Sequence, residues 1–197
     1  VALPSSFALC LIPLPLVSAL FEHGETSRQD ALAISYATAI YGLGLPAFMI
    51  QKLLQPLYFA REDTKTPLRF AVISMLLNAI LAIALLNVIG WIAVAVAASA
   101  SAWVTSILLW ISAKKFGREA SALKTSTNRI KRTFFASFVM GIILWAASQN
   151  IYIAMQTSAE RVFFAIGLVF AGSTIYLVIV YMLQAFPCLL YTSDAAD

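Results

Sequence analysis

Six long runs of apolar residues restrict what this chain can fold into. They cover residues 1–21, 31–59, 68–89, 91–113, 133–147 and 162–186. A helix needs about 20 apolar residues to cross the hydrocarbon core of a bilayer, and most of these runs reach that length. A transmembrane barrel would instead show shorter segments in which polar and apolar residues alternate. The sequence therefore predicts an all-α, polytopic transmembrane bundle of about six membrane-spanning helices.

The remaining residues divide the chain into parts. Residues 1–113 hold four of the predicted spans, 114–132 form a polar, basic linker, and 133–187 hold the last two spans. Residues 188–197, CLLYTSDAAD, look like the translation of a sequencing adapter, so we expect a non-native tail there. The chain has neither an initiator Met nor the basic start of a signal peptide, so we expect it to begin within a longer protein.

Basic residues indicate how the spans are oriented. The connections after the second and fourth spans carry ten Lys and Arg residues, whereas the other three connections carry only Arg28 and Arg161. Lys and Arg accumulate in cytoplasmic loops, because their transfer across the membrane is disfavoured. Both basic connections are therefore predicted to be cytoplasmic, and the linker is expected to be attracted to anionic lipid. No nucleic-acid-binding fold accompanies this charge, so we expect no nucleic-acid partner.

The connection after the second span has the chemistry of a tight turn between two helices. Thr66 precedes Pro67, and a Thr cap followed by proline at the first helical position predicts a helix that starts at Pro67. Charged residues of opposite sign occupy the turn before this cap. From these residues alone, a solvated connector and a moving gate both remain open.

The same stretch resembles the MurJ (MviN) family of lipid II flippases, in the multidrug/oligosaccharidyl-lipid/polysaccharide exporter superfamily. The resemblance rests on an aromatic pair followed by A-R-E-D-T-K-T-P, which comes after a predicted helix that contains Lys52 and Pro56. The motif comprises Tyr58, Phe59, Ala60, Arg61, Glu62, Asp63, Thr64, Lys65, Thr66 and Pro67. It implies that residues 1–187 correspond to spans nine to fourteen of fourteen, with 1–113 as part of the C-terminal lobe and 133–187 as a pair that forms a groove for a lipid tail.

The resemblance also implies a function. The expected activity is transfer of lipid II, an undecaprenyl-diphosphate-linked peptidoglycan precursor, across the bacterial inner membrane by alternating access. The expected partners are lipid II, membrane lipids and the preceding spans of the same polypeptide. Two alternatives remain: an exporter of another polyprenyl-linked oligosaccharide, and a membrane-embedded glycosyl transferase.

Candidate site residues lie mainly in the second span. Lys52 is the main cationic candidate for a substrate cavity, and Gln51 and Gln55 add polarity beside it; the alternative is that the Lys52 side chain extends to the cytoplasmic interface. The motif residues from Arg61 to Pro67 are candidates for a gate. Prolines and glycines are expected to bend or break the first two spans; they are Pro4, Pro13 and Pro15 in the first span, and Gly42, Gly44, Pro46 and Pro56 in the second. These bends are either static kinks or, in the second span, a hinge for alternating access.

Evidence for metal or enzyme chemistry in the sequence is weak. Some members of the family that the chain resembles hold sodium with an Asn and an Asp one turn apart; Asn78 matches the first, but Ala82 stands at the second position. His23 is the only histidine, so no zinc spacing exists, and Cys10 is the only cysteine outside the predicted tail. We therefore predict no metal, no cofactor and a transporter rather than an enzyme.

Overall fold

Seven α-helices make up most of the part of the chain that the computed structural model describes, which is residues 2–22, 26–116, 127–152 and 157–183. They are α1 (Ala2–Leu11), α2 (Pro13–Phe21), α3 (Arg28–Phe59), α4 (Lys65–Ile89), α5 (Ile92–Ala113), α6 (Thr127–Tyr152) and α7 (Ser158–Met182), with a short 3-10 helix at Lys114–Phe116. Helices α3, α4, α5 and α7 are long and apolar enough to cross a membrane, and the bent pair α1 and α2 is a fifth candidate. The predicted class, a helical transmembrane bundle, is confirmed.

The boundaries differ from the prediction in several places. The predicted fifth span, 133–147, lies inside α6, which is 26 residues long and has polar residues at both ends. The predicted linker is partly helical, because 114–116 form the 3-10 helix and 127–132 belong to α6. Its middle, residues 117–126, lies outside the described residues, as do His23 and the predicted tail at 188–197.

The first predicted span is broken. Helix α1 ends at Leu11, α2 starts at Pro13, and the two axes differ by 81°. Ile12 at the junction has φ −126° and ψ 43°, and its side chain is buried. Proline disfavours helical geometry in the residue before it, so Pro13 accounts for the break. The predicted bend in this span is confirmed.

Helix α3, in contrast, runs unbroken through Pro46 and Pro56, so no break occurs there, and a bend in this helix stays a prediction. Pro46 has no N–H to donate to the carbonyl of Gly42 four residues earlier. A neighbouring helix supplies the donor instead: Ser6 Oγ of α1 donates to the Gly42 carbonyl at 2.6 Å. The next carbonyl, that of Leu43, accepts an additional hydrogen bond from the indole N–H of Trp103 on α5 at 3.0 Å. Contacts between helices therefore keep α3 continuous at Pro46.

We predict that Ser6 and Pro46 are energetically coupled. Ser6→Ala should destabilise the bundle by about 1 kcal/mol, because it leaves the Gly42 carbonyl without its donor. In a Pro46→Ala background the same substitution should cost clearly less, because an alanine in place of the proline restores a backbone N–H to that carbonyl. Thermal unfolding of the four proteins in detergent measures the difference as a double-mutant cycle. Equal costs in the two backgrounds would contradict the coupling.

Helices α3 and α5 run parallel and pack closely through small residues. Ser99 Oγ donates to the Ile40 carbonyl at 2.8 Å, and Ser106 Oγ donates to the Ala47 carbonyl at 2.7 Å. A Cβ atom added at Gly44 would lie 2.9 Å from Ser99 Oγ. The small-residue stretch of α5 therefore lets the two backbones approach, which is the usual basis of helix association in membranes.

The contacts also define the two ends of the bundle. Ser6 and Cys10 of α1 donate to carbonyls of α3 at Gly42 and Ala39, so α1 and α3 are antiparallel. The ring of Phe7 packs edge-on against Phe134 and Phe138 of α6, near the starts of both helices. The starts of α1 and α6 therefore lie toward the end of the bundle that carries the α3–α4 turn. We call this the inner end, and the opposite one the outer end.

Candidate functional site

The turn between α3 and α4 is fixed by backbone hydrogen bonds. Arg61 N–H and Asp63 N–H both donate to the carbonyl of Tyr58, and Glu62 N–H donates to that of Phe59, each at 3.0 Å. Tyr58 is fully buried, and its hydroxyl donates to the Leu109 carbonyl of α5 at 2.7 Å. The turn therefore starts from a residue that is anchored in the α3–α5 interface.

Asp63 caps the start of α4. Its Oδ1 accepts the Thr66 backbone N–H at 3.0 Å, and α4 begins at Lys65. The sequence predicted that Thr66 caps a helix starting at Pro67, which is wrong by two residues. The carboxylate of Asp63 accepts the Thr66 N–H at the helix start, and Pro67 lies inside the first turn. This arrangement suits a helix N-terminus, where a negative charge is favoured.

Glu62 lies in the left-handed region, with φ 59°. For a residue with a Cβ atom this conformation costs about 1 kcal/mol. The three hydrogen bonds around the turn and the cap at Asp63 hold it in place. Of the remaining motif residues, Thr64 and Lys65 are exposed to solvent. The motif as a whole forms a short, well-defined connector at the inner end.

The cap makes the stability of the turn dependent on pH. The hydroxyl and backbone N–H of Thr66 hold the pKa of the Asp63 carboxyl below its usual value of 3.8, and Arg69 lowers it further. A carboxyl with a lowered pKa stabilises the fold above pH 3.8, and the contribution is lost as the pH falls through the lowered pKa. Thr66→Val should therefore raise the pKa of Asp63, measured by carboxyl NMR titration. An unchanged titration midpoint would contradict the contribution of the Thr66 hydroxyl, because the variant keeps the backbone N–H that caps the helix.

The three polar candidates of α3 do not share one environment. Gln51 donates through Nε2 to the Ala102 carbonyl of α5 at 2.8 Å and lies 3.4 Å from Ser106 Oγ. Its amide therefore joins α3 to α5, a contact that does not support the predicted cavity role for Gln51. Lys52 is exposed and Gln55 is half-buried. For these two residues the cavity role stays a prediction.

The predicted hinge residues lie in close helix contacts. A Cβ atom at Gly42 would lie 3.0 Å from Leu9 Cβ and 3.1 Å from Cys10 Sγ of α1. Gly44 has the corresponding contact with Ser99 of α5. Because these two glycines have no side chain, α1 and α5 pack closely on two sides of α3. This packing lies next to the Gly42 carbonyl, to which Pro46 has no N–H to donate. A hinge at Gly42, Gly44, Pro46 or Pro56 stays a prediction.

An apolar cavity of about 480 Å³ opens in the side of the bundle. One wall comes from α1 and α2, and the other from α6 and α7. Its lining is almost entirely aliphatic, with Tyr176 and two serines; it includes Ala8, Leu9, Ile12, Leu16, Met140, Leu144, Leu168, Gly172 and Leu177. The sequence predicted a groove from the last two helices alone. The wall from the first span was not predicted, because hydropathy does not show which helices lie side by side.

The sequence left Asn78 as a weak candidate for a sodium ligand, with no site predicted. Asn78 lies half-buried on α4, and Ala82 occupies the position one turn further on. Within the described residues, no group of three or more His, Cys, Asp or Glu side chains is placed to hold a metal ion. Asn78 therefore remains a weak candidate that rests on the sequence resemblance alone.

Long apolar helices with exposed apolar faces, short polar turns and a lateral apolar cavity define a multi-pass helical membrane protein. A family model described as "Lipid II flippase MurJ" matches residues 1–170. The chain belongs to this family. The name of the family is that of a flippase, which is a transporter, rather than that of an enzyme.

Individual relatives agree with this assignment. A probable lipid II flippase MurJ of Rhizobium meliloti is 34% identical over 182 residues, covering 91% of this chain and 34% of that protein. A probable lipid II flippase MurJ of Vibrio cholerae is 29% identical over 181 residues, with 92% and 34% covered. A solved lipid II flippase MurJ in an inward closed conformation shares the fold, with a TM-score of 0.69 at 24% identity; the match covers 93% of this chain and 36% of that one. The chain therefore spans about a third of the length of these relatives.

Proposed function

We propose that this chain is part of a lipid II flippase of the bacterial inner membrane. In this proposal the complete carrier moves the undecaprenyl-diphosphate-linked muropeptide from the inner to the outer leaflet by alternating access. The observation that carries the proposal is the match of residues 1–170 to the family of lipid II flippases. Lipid II, membrane lipids and the remaining spans of the carrier are the proposed partners.

The chemistry of the substrate explains why such a carrier needs two different surfaces. A diphosphate-sugar headgroup cannot enter hydrocarbon without polar partners, because an unpaired charge there costs several kcal/mol or more. Lys52 offers a cation at an exposed position of α3, about 10 Å from Phe59 along the helix axis. The polyprenyl tail has the opposite requirement, and the aliphatic cavity between α1–α2 and α6–α7 suits it.

For the motif from Arg61 to Pro67, the geometry favours a connector over a gate. Three backbone hydrogen bonds and the Asp63 cap fix the turn, and Tyr58 anchors it to α5. A gate would need an element with two arrangements of similar energy. We therefore propose that the motif couples α3, α4 and α5 into one unit at the cytoplasmic side, so that they move together during transport.

A transport assay tests the proposed substrate. The full-length carrier containing this sequence is reconstituted in vesicles with fluorescent lipid II, and a membrane-impermeant quencher reports the fraction reaching the other leaflet. We expect lipid II to equilibrate faster than in protein-free vesicles. Transfer of a polyprenyl-linked oligosaccharide without the muropeptide, combined with no transfer of lipid II, would favour the exporter alternative and overturn this proposal.

A further inference from the structure

Helix α7 is tied to α2 at the outer end of the bundle by an ion pair. Arg161 Nη1 in the first turn of α7 lies 2.6 Å from Glu22 Oε1, directly after α2. The two side chains retain only 15% and 12% of their accessible surface. A protein with so few charges thus places two of them in a contact that is largely shielded from solvent. Shielded charges of this kind are rarely retained unless they are paired.

The ion pair lies in line with the apolar cavity. Helix α7 runs antiparallel to α1. Leu168 of α7 shares a buried cluster with Ile12, and Leu16 packs against that cluster. Leu177, further toward the inner end, lines the same cavity, as do Pro4 and Ser5 of α1. Arg161 lies two turns before Leu168, beyond the outer limit of this lining. The ion pair therefore closes the end of the cleft between α1–α2 and α7.

The rest of α7 is held by apolar contacts. Leu168, Tyr176 and Val180 are buried in one cluster with Ala136, Met140 and Leu144 of α6, and Ile12 of the first span belongs to the same cluster. At the inner end, Arg132 Nη1 of α6 donates to the Leu183 carbonyl at 3.0 Å, which is a contact between α6 and the end of α7. Leu177, toward the inner part of the cleft, remains exposed. The ion pair thus adds a charged contact to the apolar ones that join α7 to the first span.

We propose that Glu22 and Arg161 are positioning residues that clasp the outer end of α7 to α2, so that the cleft opens only between α1 and the inner part of α7. Because the outer end is closed, a long apolar chain enters the cleft sideways, through its inner part. The clasp itself follows from the geometry, and only the identity of the chain rests on the proposed function.

Distances between spin labels test the clasp in the full-length carrier. One pair, at Leu20 and Phe163, reports the outer end; both side chains are exposed. A second pair, at Ser5 and Leu177, reports the mouth of the cleft. We expect a narrow distance distribution for the outer pair and a broader one for the mouth pair. Undecaprenyl phosphate should shift the mouth distances and leave the outer distances unchanged.

Charge variants separate the clasp from simple packing. Arg161→Glu should broaden the outer distances or prevent folding, because it places two negative side chains together. Adding Glu22→Arg should restore both folding and the narrow outer distribution, since the pair is rebuilt with reversed charges. Lys115→Gln, at an exposed position of the short 3-10 helix after α5, is the matched control and should leave both distributions unchanged.

Two results would overturn the clasp: an outer distribution as broad as that of the mouth in the unmodified carrier, or a reversed pair that fails to restore it. A narrow distance distribution for the outer pair, together with mouth distances that undecaprenyl phosphate does not change, would instead support the clasp and count against the proposed lipid. The two proposals are therefore tested separately.

Discussion

Replacing Lys52 by alanine in the full-length carrier is expected to slow lipid II translocation by about tenfold to a hundredfold. This is the range expected if Lys52 donates to the diphosphate, because hydrogen bonds to charged groups contribute about 1.5–3 kcal/mol and about 1.4 kcal/mol corresponds to a factor of ten. Lys52 is exposed on α3 and has no role in the buried α3–α5 interface. The substitution should therefore leave expression and thermal unfolding almost unchanged.

Two further variants show whether the charge itself matters. Lys52→Arg should retain most of the transport activity, since it keeps the cation. Leu53→Ala changes the neighbouring exposed residue of α3 and should have little effect. Full complementation by Lys52→Ala in cells that depend on this carrier would exclude the cavity role. The side chain would then be assigned to the cytoplasmic interface, which is the alternative for a lysine near a helix end.

Replacing Gly44 by leucine is expected to produce the largest loss of stability, about 3 kcal/mol. The Cβ atom alone would lie 2.9 Å from Ser99 Oγ and 3.3 Å from Ser99 Cα, so α3 and α5 must move apart. Their separation would also weaken the hydrogen bonds from Ser99 and Ser106 to carbonyls of α3. Thermal unfolding in detergent should show the effect as a clearly lowered midpoint.

Gly167 provides the matched control for this prediction. It lies within α7, and a Cβ atom added there would meet nothing within 4 Å. Gly167→Leu should therefore leave the unfolding midpoint unchanged or raise it slightly, because glycine is a poorer helix former than leucine. Similar losses at both glycines would show that close approach of α3 and α5 does not explain the effect at Gly44.

The sequence predicted the helices well because crossing a bilayer imposes a length and a composition that can be counted. Prolines predicted a bend or break in each of the first two spans; the first span breaks at Pro13, whereas α3 continues through Pro46 and Pro56. The difference depends on neighbours: Ser6 comes from another helix and replaces the donor that Pro46 lacks. A local rule for proline has no means of including a donor that lies 36 residues away in sequence.

The candidate site was predictable only in part, for similar reasons. The motif from Arg61 to Pro67 stood out by charge, but the cap belongs to Asp63 because its side chain reaches the Thr66 N–H. Gln51 and Lys52 are adjacent in sequence, yet the turn of the helix directs Gln51 to α5 and leaves Lys52 exposed. The pair of Glu22 and Arg161, separated by 139 positions, has no signal in the sequence beyond two opposite charges in outer connections.

The central claim is that this chain threads a membrane with its α3–α4 turn in the cytoplasm. The most direct test places a single cysteine at Thr64, which is exposed in that turn, in a carrier whose native cysteines are replaced. A second variant carries the cysteine at Gln29, exposed at the opposite end of α3. A membrane-impermeant maleimide should label position 29 in intact cells and position 64 only after the membrane is opened. Labelling of position 64 in intact cells would contradict the predicted topology and the transport direction that depends on it.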